Sequence, residues 1–253
     1  MDKIVLITGA TSGIGYFTAL EFASLGCDLI ITGRRKDRLD AIKKELIEKY
    51  PNINVLTLCF DVRNLKEVEE NLGSLHGNWR NIDILINNAG LALGKEPIYE
   101  GDIKDWDQMI DTNIKGLLYV SRTIIPILKE KKHGHIINIC SIAGKEVYKD
   151  GVVYCATKAA VDFISKGMRL DCCEHNIKVT NICPGAVETE FSMVRFKQDK
   201  QKADATYKGF TPLNGRDIAK TIIFCATVGE NICISDLTIT PSSQANATTF
   251  YRK

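Results

Sequence analysis

Short runs rich in isoleucine and valine recur along the chain, at Lys3–Thr8, Asp28–Thr32, Ile53–Leu58, Ile82–Ile86, His135–Cys140, Lys178–Cys183 and Ile234–Thr240. Most are nearly continuous in apolar residues rather than alternating, as strands buried on both faces should be. Helical stretches lie between them, for example Gly13–Leu25, Lys36–Tyr50, Asn64–His76 and Gly215–Val228. Strand, helix, strand in repetition implies βαβ units, right-handed crossovers and a parallel sheet. The expected fold class is α/β, with helices on both faces of a doubly wound parallel sheet of about seven strands. The 253 residues suit one domain spanning 1–253. The longest stretch expected to be irregular is Glu190–Asn214, polar and charged, and such stretches serve as lids or binding loops. The polar tail Ser242–Lys253 reads as a frayed end, or as a flap over its own or a neighbour's site, given Phe250 and Tyr251.

Composition narrows the classes further. With 33 basic against 31 acidic residues there is no electrostatic footprint for nucleic acid. No apolar run reaches the length of a bilayer span, so no membrane partner is expected. Nine cysteines form no C-x-x-C pair and no zinc spacing, and the four histidines lack partners at ligand spacing. No metal is therefore expected. The cysteines read as reduced thiols behaving as small core hydrophobes, which implies a cytoplasmic protein.

The first strand runs into Thr8-Gly9-Ala10-Thr11-Ser12-Gly13-Ile14-Gly15 and then a helix. Glycines allow a sharp turn and close backbone approach, and a helix N-terminus offers free N–H donors to a pyrophosphate. That makes Gly9 through Gly15 candidate cofactor residues in a Rossmann-like fold. The second strand closes on Gly33-Arg34-Arg35, without the acid that holds the ribose of NAD. Two guanidiniums suit a 2′-phosphate, so Arg34 and Arg35 point to NADP. Asp61 and Val62, Asn88 with Ala89 and Gly90, and Pro184 with Gly185, Val187 and Thr189 all follow strand ends, where this fold class binds ligands. Each alone is also compatible with a simple turn.

Ser141 closes the fifth strand, while Tyr154 and Lys158 stand four apart on a helix beginning near Gly151. Residues at that spacing share a face. A tyrosine is a poor base near neutrality, but an adjacent ammonium favours the phenolate. The opposite stripe, Ala156, Ala160, Phe163, Gly167 and Leu170, is small or apolar, so Tyr154 and Lys158 need not belong to the core. Arg195 is a candidate clamp for a substrate carboxylate, and Lys145, four residues after Ser141, is a similar one; each is equally compatible with a solvated charge.

The strings TGATSGIG, NNAG, YCATK and PGAVETEF, with Ser141 between them, occur in the order of the short-chain dehydrogenase/reductase family, which the chain resembles along its whole length. TGRRKDRL, NIDILINNAGLALGKEP, DTNIKGL, HGHIINI and FSMVRFKQD resemble its subgroup of NADP-dependent 3-hydroxy acid dehydrogenases, which act on L-allo-threonine and serine. The resemblance implies Tyr154 as general acid/base and Ser141 as hydrogen-bond partner of the substrate oxygen. Lys158 would tune the tyrosine and hold the nicotinamide ribose, and Asn113 would hold a helix kink and a proton-relay water. It also implies oxidation of a small 3-hydroxy acid, and a homo-oligomer, dimer or tetramer, packed through the helices of Asn113 and Tyr154. A carbonyl or 3-oxoacyl thioester reductase is the alternative within enzymes, and an NADP-binding regulator with little catalysis the alternative outside them.

Overall fold

The computed structural model describes residues 2–253. Among these, the strands are β1 (Ile4–Ile7), β2 (Asp28–Gly33), β3 (Val55–Cys59), β4 (Ile84–Asn87), β5 (Gly134–Ile139), β6 (Ile177–Pro184), β7 (Val187–Glu188), β8 (Leu213–Asn214) and β9 (Asp236–Ile239). The helices are α1 (Gly13–Ser24), α2 (Lys36–Lys49), α3 (Leu65–Leu72), α4 (Ile103–Ile110), α5 (Leu117–Lys131), α6 (Val152–Cys172), α7 (Glu190–Arg195), α8 (Lys200–Ala205) and α9 (Gly215–Thr227). Seven strands form one parallel sheet in the order β3-β2-β1-β4-β5-β6-β9. The order reverses between β1 and β4, and a ligand crevice opens at such a switch point, outside the carboxyl ends of the strands.

Alternate residues of each strand serve opposite layers. Val5, Ile7, Leu29 and Ile31 pack with Phe22 of α1, Leu39 of α2 and Ile218 and Ile222 of α9. Ile4, Leu6, Ile30 and Leu85 pack with Val68 of α3, Ile124 and Leu128 of α5, and Val161 and Met168 of α6. No helix among the described residues is long and apolar enough to cross a membrane.

Four expectations need correction. The outward stripe of α6 is the apolar one: Phe163 and Leu170 are 72% and 77% exposed, and Tyr154, Lys158, Asp162 and Ser165 face inward. Hydrogen bonds from the sheet satisfy the two inward polar residues Asp162 and Ser165, which removes the usual penalty of burying them. The segment 190–214 is not irregular: it holds α7, α8 and β8, which pairs in parallel with β7 just before the segment. The caps are the reason, since Thr189 Oγ1 accepts from Phe191 N and Asp199 Oδ1 from Lys202 N. The tail is not frayed either. It folds onto its own chain, with the Phe250 ring 4.8 Å from Phe210 and Gln244 buried. Finally, Cys59, Cys173 and Cys233 are exposed rather than core; all nine thiols are free.

Candidate functional site

A cleft of about 1050 Å³ lies at the switch point, lined by Gly9, Thr11 to Ile14, Arg34, Arg35, Asp61, Val62, Asn88 to Gly90, Ser141, Tyr154, Lys158, Pro184, Gly185, Val187, Thr189 and Arg195. Three of the residues expected at the site, Ala10, Gly15 and Asn113, stand behind this lining and shape it.

The glycine turn is built for close approach. Gly9 and Gly13 hold φ values of +66° and +55°, the left-handed region that favours glycine. A Cβ on Gly9 would lie 2.9 Å from Ala89 Cα, and one on Gly15 would lie 2.5 Å from the Asn88 amide nitrogen and Gly9 oxygen. Asn88 stitches the turn from the neighbouring strand, its side-chain nitrogen donating to the Thr8 and Gly9 carbonyls at 2.8 and 3.1 Å. Ser12 precedes α1 but does not cap it. Its Oγ instead accepts from Arg35 at 3.0 Å. The first N–H groups of α1 thus face the cleft with no acid in the opening turn, which is the arrangement an anion requires.

Arg35 is fixed by the same turn, donating to Thr11 Oγ1 from Nε and Nη2 at 3.2 and 2.9 Å. Its third nitrogen reaches Glu190 at 3.0 Å, and Arg38 reaches the other oxygen of Glu190 at 2.6 Å. Arg34 stands 3.8 Å from Asp61, which also holds Arg63 at 2.7 Å. Burial pushes the Asp61 carboxyl up, but Arg63 and Arg34 outweigh it and hold it below its ordinary value. Sequence reasoning missed Arg38, which lies in the first turn of α2, three residues after Arg35.

At the other end, Ser141 Oγ accepts from Ala143 N at 3.1 Å and donates to the Pro184 carbonyl at 3.4 Å. Lys158 Nζ donates to the Ile139 carbonyl at 2.9 Å. A Cβ on Gly90 would meet Asn113 Oδ1 at 3.2 Å and Lys158 Nζ at 3.4 Å, so these two side chains converge closely on the glycine. Asn113 sits in one π-helical turn, Asp111–Gly116, between α4 and α5, a local widening common at functional sites. Its amide accepts from Leu91 N and donates to the Leu91 carbonyl and to Thr157 Oγ1, at 2.9, 2.8 and 3.0 Å. Thr157, which sequence reasoning missed, passes the contact on to the Tyr154 carbonyl at 2.8 Å.

The ionisation pattern also differs from expectation. Burial, helped by Tyr148, pushes the Tyr154 phenol above its ordinary value, against Ser141 and Arg195. Burial lowers Lys158. With its ammonium on a backbone carbonyl and both groups dry, the lysine does not by itself produce a phenolate here.

Arg195 hangs from α7 into the cleft. Its Nε donates to the Gly94 carbonyl at 3.1 Å and Nη1 to the Tyr148 hydroxyl at 2.9 Å. The guanidinium stands 5.7 Å from the Tyr154 ring centre, and its Nη2 is buried with no hydrogen-bond partner. Phe191 of the same helix meets the Tyr154 ring edge-on at 5.8 Å. Lys145 is absent from the lining: it pairs with Asp162 and Asp236 at 2.5 and 2.6 Å. Its reach is taken up by those two carboxylates, so it is no substrate clamp.

Residues 3–200 match the family described as short chain dehydrogenase. The chain belongs to that family. Among relatives of this short-chain dehydrogenase is the NADP-dependent 3-hydroxy acid dehydrogenase of Salmonella typhi, 47% identical over 96% of this chain and 97% of that protein. Another is the NADP-dependent 3-hydroxy acid dehydrogenase of Schizosaccharomyces pombe, 44% identical over 99% and 97%. A solved structure, the closed form of serine dehydrogenase complexed with NADP+, superposes with a TM-score of 0.91 at 44% identity, covering 99% of each chain. The family and its doubly wound fold agree with the sequence reading.

Proposed function

We propose that this short-chain dehydrogenase oxidises the hydroxyl of a small 3-hydroxy acid, such as L-allo-threonine, L-serine or 3-hydroxypropionate, with NADP+. One observation carries the substrate class: the buried, unpartnered Nη2 of Arg195 beside the Tyr154 ring. A buried donor without a partner is costly, and a carboxylate on that guanidinium would satisfy it while its β-hydroxyl reached Ser141 and Tyr154. The fit to the cofactor rests on the Gly9–Gly15 turn, the uncapped start of α1, and Arg34 and Arg35 for the 2′-phosphate, with Asp61, Val62, Asn88, Ala89, Gly90, Pro184, Gly185, Val187 and Thr189 along its length. When bound, the nicotinamide supplies the hydride acceptor.

The chain's own residues then handle the proton. Ser141 Oγ binds the hydroxyl oxygen and Tyr154 takes the proton as general base. Lys158 contributes positive charge that, added to that of a bound oxidised nicotinamide, would favour the buried phenolate. Asn113 acts as a positioning residue, tying the π-helical turn to α6 through Thr157. Segment 190–214, with Arg195, forms the lid of this one-domain enzyme. Free thiols throughout fit a reducing, cytoplasmic setting. The bare stripe of Phe163 and Leu170 fits burial against a second copy, as a dimer or tetramer, which the mass in solution checks.

The test is the initial rate with the three hydroxy acids, using NADP+ and NAD+ in parallel. The expected result is a rate with NADP+ far above that with NAD+. Tyr154→Phe should lower it about 10²- to 10⁴-fold while cofactor binding persists. Tight NADPH binding without turnover of any of the three would overturn the substrate class and favour ketone reduction.

A further inference from the structure

Beyond the two arginines at the strand end, the structure shows an acid bound to one of them. Glu190 opens α7 and bridges Arg35 and Arg38 at 3.0 and 2.6 Å. All three side chains are 39–46% exposed, so each contact is screened by solvent, weak and exchangeable. Arg35 is otherwise committed to the phosphate turn, through Thr11 and Ser12; only Nη1 is given to the acid. Arg38 has no such commitment to the turn. Glu190 directly follows Thr189, whose methyl-bearing carbon lies where a Cβ on Gly13 would touch it, 3.3 Å away. The carboxylate is therefore carried by the segment that borders the pyrophosphate turn.

We propose that Glu190 is an internal stand-in for the 2′-phosphate: it holds Arg35 in the free enzyme, yields it to the phosphate, and is kept aside by Arg38. The inference rests on the NADP reading above. A dianionic phosphate outcompetes a carboxylate for a guanidinium because it carries more charge and more acceptor oxygens. Once displaced, Glu190 still lies close to the phosphate and repels it unless Arg38 retains the carboxylate. Selectivity for the phosphorylated cofactor is then set by four residues: Arg34 and Arg35 attract, Glu190 opposes, and Arg38 neutralises Glu190.

The test is calorimetric binding of 2′,5′-ADP and 5′-AMP to the wild type, Glu190→Gln, Arg38→Gln and the double variant. Glu190→Gln should tighten 2′,5′-ADP about three- to ten-fold, the weight of one solvent-screened charge, and leave 5′-AMP unchanged. Arg38→Gln should weaken 2′,5′-ADP by a similar factor, and that loss should vanish in the Glu190→Gln background. Unchanged or weaker binding by Glu190→Gln would overturn the proposal and make Glu190 a strut that closes over the nucleotide. An Arg38→Gln loss of equal size in both backgrounds would also overturn it, making Arg38 a direct phosphate ligand. If the wild type bound both nucleotides alike, the NADP reading would fail, a result distinct from either.

Discussion

The two halves of the sheet are built by different means. In the cofactor half, the row Leu6, Ile30 and Leu56 crosses β1, β2 and β3 with apolar side chains only. In the catalytic half, the row Asn87, Asn138, Asn181 and Asp236 crosses β4, β5, β6 and β9 in register. Asn87 donates to Asn138 Oδ1 at 2.9 Å, Asn138 to Ser165 Oγ at 2.9 Å, and Asn181 to both Asp162 and Asp236 at 2.9 Å. Lys145 and Lys166 close the network on Asp162 at 2.5 and 2.7 Å. The cofactor half needs only a sharp turn and a helix start, because the phosphate contacts proposed for it are backbone N–H groups. Burial is non-directional and suffices for that. The catalytic half must aim side chains from α6, and hydrogen bonds fix the rotation of a helix about its axis where apolar contact leaves it free. Ser165 and Asp162 lie on the inward face that carries Tyr154 and Lys158, so the ladder holds those two side chains in place.

The comparison breaks most sharply at Asp162. Removing it as Asp162→Ala leaves Lys145 and Asn181 short of a buried partner. Losing one side of such a pair costs about 3–5 kcal/mol. Denaturant titration should show that loss, with a fall in kcat greater than any change in cofactor affinity. A loss under about 1 kcal/mol would reduce the ladder to a solvated surface pair.

How far each half was legible follows from the same physics. Continuous apolar runs announced the strands, and the glycine turn, Ser141, Tyr154 and Lys158 each have a fixed place relative to a strand end, so their gathering in one cleft was foreseeable. The facing of α6 was not. Periodicity reveals a stripe but not which stripe meets the sheet, and Asp162 and Ser165 read as solvent residues until Asn138 and Asn181 appear opposite them. Helices α7 and α8 span six residues each, too short for a periodic signal, although Thr189 and Asp199 were readable as caps. The Phe210–Phe250 contact joins positions forty residues apart, which no local pattern encodes. Arg195 was guessed from its chemistry, whereas Tyr148 beneath it carried no signal.

The catalytic half also carries a pH signature. His135, on β5, is buried and bonded through Nε2 to Thr180 Oγ1 at 2.7 Å. Burial first, then Lys178 and Lys3, lowers it from 6.5 to about 3. The unfolded chain therefore takes up this proton before the folded one, so its contribution is full above about pH 6.5 and is lost as pH falls toward 3. Between pH 6 and 4 the wild type should lose about 2–3 kcal/mol more than His135→Gln, read from denaturant midpoints at each pH. Parallel pH slopes for the two proteins would remove the histidine from the account.

The smallest effect is expected in the cofactor half, and its form matters more than its size. Ile30→Val removes one methylene from the fully buried apolar row, at about 0.5–1.5 kcal/mol. In a domain this large that lowers the melting temperature by about 2–4 °C per kcal/mol. Because the loss is non-directional, the turn above β1 should keep its shape, and kcat and 2′,5′-ADP affinity should stay at wild-type values. Asn138→Asp, nearly isosteric, should do the reverse in kind, since it places a carboxylate against Asn87 and Ser165 and changes the orientation of α6 as well as stability. If Ile30→Val altered kcat as strongly as Asn138→Asp, the apolar row would be aiming side chains too, and hydrogen-bond direction would not be what distinguishes the two halves.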